Sequence, residues 1–192
     1  MTKVIAAFNM TLDGICDHTA GIPDAAIHQY YTDLLNQGDA ILYGRTTYQL
    51  MEFWRTFLKN PSEEKSMNDF ATAIDRIPKI VFSHSLKTVD WASASLAHRD
   101  LKETVLGLRQ QSENNIFIGS RSLIVQLMKL HLIDEYQICV HPVVAGGGLP
   151  LFDKADDRTL LKLLKTKTFK GGAVTLYYEP IQTDPLPKDP MP

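Results

Sequence analysis

The sequence predicts an α/β chain, a three-layer sandwich whose mainly parallel mixed sheet carries helices on both faces. Three observations predict it. Short unbroken apolar runs such as Ala40–Tyr43, Ile80–Phe82 and Ile116–Ile118 have the pattern of strands buried on both sides. Between them lie segments with apolar residues at helical spacing, the alternation of a wound parallel sheet. Glycine or serine turns stand where strands pass into helices.

Taken in order, Val4–Phe8 reads as a first strand that stops at Leu12-Asp13-Gly14. Pro23-Asp24 then opens a helix with Ile27, Tyr30, Tyr31, Leu34 and Leu35 on one stripe, and Gly38 caps it. Ala40–Tyr43 is the second strand and Thr46–Trp54 the second helix. A polar stretch, 59–68, leads to a short helix ending at Arg76. Ile80–Phe82 is a third strand that stops at Ser83-His84-Ser85. Asp100 and Glu103 form a capping box for a helix through Leu108. Strand Ile116–Ile118, helix Ser122–His131 and strand Glu135–Val140, ending at His141-Pro142, follow. Gly146-Gly147-Gly148 is a flexible loop, and Ala173–Glu179 a last strand. Late strands without a long helix between them imply an antiparallel addition at one edge. Residues 1–182 make one domain; four prolines in the last eight residues predict a disordered tail over 183–192.

Composition narrows the function. With a net charge of −2 and no basic run longer than a pair, nothing recommends nucleic acid or a membrane surface as partner. No apolar run reaches the length of a membrane span, and the first residues lack the apolar stretch of a secretory signal. Two cysteines without metal spacing fit a reduced, cytoplasmic protein. The six histidines show no ligand spacing, so no metal is assigned. Nucleophile-elbow, P-loop and dinucleotide fingerprints are absent.

Two turns carry the functional argument. In 115–123 an apolar strand runs through Gly119-Ser120 straight into a helix, and Gly44-Arg45-Thr46-Thr47 repeats the arrangement. A helix start offers free N–H groups and the positive end of its dipole to an anion. Asp13-Gly14 and Ser83-His84-Ser85 fall at the same carboxyl edge, where such sheets bind ligands. Singly, each glycine reads as a tight turn, Asp13 as an Asx turn, and Phe53 and Trp54 as core. Their convergence is what suggests a phosphate-bearing cofactor.

Segments 39–48, 78–85, 116–123 and Leu132-Ile133-Asp134-Glu135-Tyr136 leading to Pro142 and the triple glycine stand in the order found in the dihydrofolate-reductase-like superfamily. With Thr11-Leu12-Asp13-Gly14, they make the chain resemble the reductase domain of the bifunctional riboflavin deaminase-reductase, over about residues 3–180. Where those reductases carry Glu-Gly-Gly, this chain has Ile118-Gly119-Ser120. The resemblance implies the dihydrofolate-reductase-like fold, NADPH as cofactor, a homodimer and a cis Gly119–Ser120 peptide. It also implies reduction of a small heterocyclic metabolite, as in 5-amino-6-(5-phosphoribosylamino)uracil reduction. Arg45, with the N–H groups of Thr46 and Thr47 beside Gly44, would then hold phosphate. Ser83, His84 and Ser85 would take the 2′-phosphate, and Gly119, Ser120, Arg121, Ser122 and Leu123 the pyrophosphate. Asp13 is the candidate catalytic contact to substrate, with Asn9, Tyr31, Phe53 and Trp54 shaping its wall. Dihydrofolate reductases place a carboxylate on the first helix; here the nearest position is His28, and Asp33 falls off the apolar stripe. Dihydrofolate reductase-like activity and a non-catalytic dinucleotide-binding sensor are the alternatives.

Overall fold

The computed structural model of the chain describes residues 2–152 and 158–181; the 183–192 tail lies outside them. Eight strands form one sheet: β1 (Val4–Thr11), β2 (Gly38–Gly44), β3 (Lys79–Phe82), β4 (Ala94–Leu96), β5 (Asn115–Ile118), β6 (Glu135–His141), β7 (Leu161–Thr168) and β8 (Val174–Pro180). Their order is β4-β3-β2-β5-β1-β6-β8-β7, parallel through β6 and antiparallel in β8 and β7. The mixed sheet and its antiparallel addition are as the sequence predicts. The edge strands are β4 and β7, so the late strands read at 135–140 and 173–179 both lie inside the sheet.

Among the described residues, six helices accompany the sheet: α1 (Ala25–Leu35), α2 (Arg45–Met51), α3 (Arg55–Lys59), α4 (Lys65–Arg76), α5 (Leu101–Gln111) and α6 (Arg121–Lys129). Strand alternation sorts the core into two layers. Ile5, Ala7, Ile41, Tyr43 and Phe117 point to α1 and α4, meeting Ile27, Leu34 and Ile74. Val4, Ala6, Leu42, Ile116 and Ile118 point the other way, to Leu123, Ile124 and Leu127 of α6 and Val105 of α5.

Local chemistry explains the helix limits. Asp24 accepts the Ile27 N–H at 2.9 Å and Asp100 the Glu103 N–H at 2.8 Å, so both helices start on a carboxylate cap. α5 runs on to Gln111. The expected single helix over 46–54 is divided: α2 ends at Met51, a 3₁₀ turn covers Glu52–Trp54, and α3 follows. Gly38 does not cap α1, which ends at Asn36. It opens β2, where the Phe117 ring occupies the place of a Cβ. β4 and β7 have no counterpart in the sequence prediction. β4 is three residues long; β7, Leu-Lys-Leu-Leu-Lys-Thr-Lys-Thr, is exposed along nearly its whole length and shows no buried alternation.

Candidate functional site

The carboxyl ends of β1, β2, β3, β5 and β6 meet at one edge, because all five strands are parallel. On that edge the two glycine turns are bonded to each other. The Gly44 N–H donates to Ser120 Oγ at 2.8 Å, and the Gly119 N–H to the Leu42 carbonyl at 3.1 Å. Ser120 is buried and spends its hydroxyl on β2 instead of capping α6. A Cβ on Gly44 would lie 3.3 Å from Ser122 Oγ, so glycine keeps the small serine-lined cradle open. Gly119 serves packing: a Cβ there would meet the Tyr43 ring at 2.5 Å. Its peptide to Ser120 is trans, as are all described peptides, contrary to the expectation.

The remaining residues that the resemblance assigns to a cofactor divide. Arg45 is exposed, and its Nη1 donates to Ser85 Oγ at 3.0 Å, drawing β2 and β3 turns into one polar wall. Ser83 Oγ accepts from the Ser85 and Leu86 N–H groups at 3.1 and 3.0 Å and holds that turn. His84, Thr46 and Ser122 are exposed on the same rim, with Thr47 half-buried. Arg121 Nε donates to the Pro150 carbonyl at 2.5 Å, so this guanidinium ties α6 to the loop after β6. Leu123 is a correction. Its side chain is in the core and its N–H bonds the Ser120 carbonyl within the first turn of α6.

Asp13 is held by the opposite loop. Its Oδ1 and Oδ2 accept the Ala145 and Gly146 N–H groups at 3.1 and 2.8 Å, and the Thr11 hydroxyl donates at 2.5 Å. These bonds, the Thr11 one foremost, bring its pKa down to about 2. The arrangement is neither an Asx turn nor a free acid; it is an anion clasping the glycine loop. Three backbone bonds between residues 12–16 and 143–151 support the clasp or flank it: Leu12 to Val143, and Cys16 to Leu149 with Leu151 to Gly14, the pair that makes the Ile15–Pro150 bridge. Gly14, Gly146 and Gly148 have φ of +80°, +76° and +130°, which fit glycine.

On the α1 side stand three of the four residues that the sequence reading gave to substrate, Asn9, Tyr31 and Trp54. Tyr31 donates its hydroxyl to Asn9 Oδ1 at 2.8 Å. One turn earlier on α1, His28 meets the Trp54 ring edge-on at 5.5 Å, and Trp54 stacks edge-on against Phe70 at 4.6 Å. Burial lowers the His28 pKa, and its Nδ1 is buried without a partner. Phe53 is the exception: it is 57% exposed and leans on Trp54 and Phe57 from outside. Asp33 is exposed, as its position off the stripe predicts.

His141 is the residue that the sequence reading left aside. Strand-end position was its signal, but only the β1–β6 register, which sets Thr11 beside His141, brings it to Asn9. It is 1% exposed, accepts the Ile22 N–H on Nδ1 at 3.2 Å, and has Nε2 at 3.3 Å from Asn9 Oδ1. Among the described residues, no cluster of His, Cys, Asp and Glu could hold a metal, and no helix is long and apolar enough to cross a membrane.

Comparison with known proteins agrees with this architecture. The family model of the RibD C-terminal domain matches residues 2–175. The uncharacterized protein YyaP of Bacillus subtilis (strain 168) is 32% identical over 180 residues, covering 92% of this chain and 94% of YyaP. A Shewanella sp. PV-4 protein named for riboflavin biosynthesis superposes with a TM-score of 0.70 at 19% identity, over 94% of this chain and all of that one. The Thermotoga maritima diaminohydroxyphosphoribosylaminopyrimidine deaminase/5-amino-6-(5-phosphoribosylamino)uracil reductase gives 0.62 at 16% identity, over 94% of this chain and 57% of that one. The structural matches carry the fold, and the family match carries membership: this chain belongs to the RibD C-terminal domain family.

Proposed function

We propose that the chain is an NADPH-dependent reductase of a small heterocyclic metabolite, and that it works as a homodimer. The observation that carries the reading is the bonded pair of turns at the carboxyl edge, Gly44 on Ser120, flanked by Arg45 with Ser85. The fit to a dinucleotide is chemical. A small-residue cradle admits phosphate close to the backbone, and a guanidinium bonded to a hydroxyl, with no carboxylate paired to it among the described residues, suits a 2′-phosphate. Gly44, Arg45, Ser85, Ser120 and Ser122 would hold the cofactor. Family membership and the Thermotoga maritima reductase's name support reduction as the chemistry.

Bound NADPH supplies the hydride. This chain's residues bind and orient: Asn9 and Tyr31 face the substrate side, Trp54 and His28 wall it from α1 and the 3₁₀ turn, and Asp13 pins the glycine loop across the opening. Asp13 stays ionised and is not the proton donor. That same observation favours a second reading, a dinucleotide sensor without turnover.

Nucleotide titration by fluorescence tests the proposal. NADPH binds at least roughly tenfold tighter than NADH, a difference of about 1.4 kcal/mol. R45A shrinks that preference, more at low salt than at high. Equal affinities for the two nucleotides overturn it, and oxidation with no pterin, pyrimidine or carbonyl substrate selects the sensor.

A further inference from the structure

We propose that Asn9 presents its amide nitrogen as a fixed hydrogen-bond donor to a ring carbonyl of the substrate, and that His141 is the positioning residue that fixes it. The inference rests on the reductase reading and assigns that site its substrate chemistry: a lactam-type oxygen facing β1.

The chain of donors and acceptors starts at a backbone amide. The Ile22 N–H can only donate, so His141 Nδ1, 3.2 Å away, is the acceptor and carries no proton. A neutral imidazole with an unprotonated Nδ1 carries its proton on Nε2. Burial favours this neutral form by lowering the His141 pKa. Nε2–H therefore donates, and the atom it faces at 3.3 Å must accept: this is the Asn9 carbonyl oxygen, Oδ1. The Tyr31 hydroxyl donates to the same oxygen at 2.8 Å. Turning the amide over would set its NH₂ against the imidazole N–H, which cannot accept, so His141 fixes one orientation; the Tyr31 hydroxyl, able to donate or accept, follows it.

The consequence is on the other side of the amide. Asn9 Nδ2 has no protein partner among the described residues, and the residue is exposed at the carboxyl end of a central strand. It lies on the α1 face, as Ile5 and Ala7 do, beside Tyr31 and one helical turn from the His28–Trp54 wall. Two N–H bonds held rigidly there recognise an acceptor. A ring amino group in the same place would find donor against donor. The chain at Gly21 runs beside the imidazole, where a Cβ would stand in ordinary contact, 3.5 Å from His141 Nε2.

The test uses two probes of one ring, 5,6-diaminouracil with carbonyls and 2,4,5,6-tetraaminopyrimidine with amino groups in their place, each titrated calorimetrically with and without saturating NADPH. The wild type binds the uracil at least tenfold tighter than the tetraamine. N9D, which replaces the donor by an acceptor, abolishes or inverts that preference. H141L loses most of the discrimination while NADPH affinity and Tm stay near wild type; H141Q, which restores a donor toward Asn9, recovers it. Nitrogen-15 spectra of the wild type show His141 protonated on Nε2. Equal binding of the two probes, binding of neither, an Nδ1-protonated His141, or H141Q behaving as H141L overturns the inference. Absence of NADPH binding overturns the reductase reading instead, and the two failures are read from separate titrations.

Discussion

Asp13 illustrates how a residue's partners set its role. An aspartate in a polar turn at a sheet's carboxyl edge invites a catalytic reading, yet both of its oxygens are engaged by the loop at 145–146. The pH behaviour follows with a definite sign. Its folded pKa, about 2, lies below the ordinary aspartate value of 3.8, so the clasp is fully present above that range and is lost as pH falls through about 2. The Ala145 and Gly146 amide resonances therefore titrate with a midpoint near 2 in NMR spectra; a midpoint near 3.8 would contradict the clasp. D13N keeps one acceptor but turns an NH₂ toward one of the two amides. Their hydrogen exchange then quickens about tenfold, since a charge-assisted bond is lost, while Tm changes little.

Among the elements, β3 shows what anchors the Arg45–Ser85 wall from behind. Lys79, its first residue, is 1% exposed, and its ammonium donates to the Ile77 carbonyl at 3.0 Å, the Asp75 carbonyl at 3.3 Å and Ser93 Oγ at 2.6 Å. It also sits 4.1 Å from the centre of the Trp91 ring. This box ties the end of α4 and the approach to β4 onto the start of β3, and so sets the register that delivers Ser83–Ser85 to Arg45 at the far end. K79M keeps the volume but leaves buried acceptors without donors. Urea unfolding should show a loss of about 1–3 kcal/mol; an unchanged midpoint would mean that the box contributes nothing. Lysine at a buried strand start was not legible as an anchor, because its partners come from two other segments, the end of α4 and the approach to β4. The legible features were local: apolar runs, aspartate caps and strand-to-helix glycines. The illegible ones were cross-strand. Phe117 on Gly38, Tyr43 on Gly119 and His141 beside Asn9 depend on registers that no linear pattern states. β7 stayed hidden for the opposite reason, since a strand with both faces exposed carries no alternation.

At the scale of the whole molecule, the two sheet faces are treated unequally. On the α1 face, β7 is covered by its own lysines: Lys165 lies 4.5 Å over Tyr177, and Lys167 lies 4.8 Å over Tyr30 and 5.3 Å over Phe169. The other face of the late strands is apolar and half-exposed. Phe8 and Met10 of β1, Val140 of β6, and Val174, Leu176 and Tyr178 of β8 lie on it in register, and Leu163 of β7 extends it at 49% exposure. An apolar patch spread over four adjacent strands is larger than isolated surface residues account for, and a second copy of the same face is self-complementary about a two-fold axis. The dimer proposed above would use this face, since the ladders of β6 and β8 are already paired. Placing charges at its centre tests this. Val140 and Leu176 are diagonal neighbours on paired strands, so V140K/L176K sets two ammonium groups, and in the partner two more, against each other across a closed interface. Light scattering at micromolar concentration should give a dimer for the wild type and a monomer for the variant, with NADPH affinity retained because the cradle at Gly44 and Ser120 is on another edge. A monomeric wild type, or a dimeric variant, would show that this face is not where two copies meet.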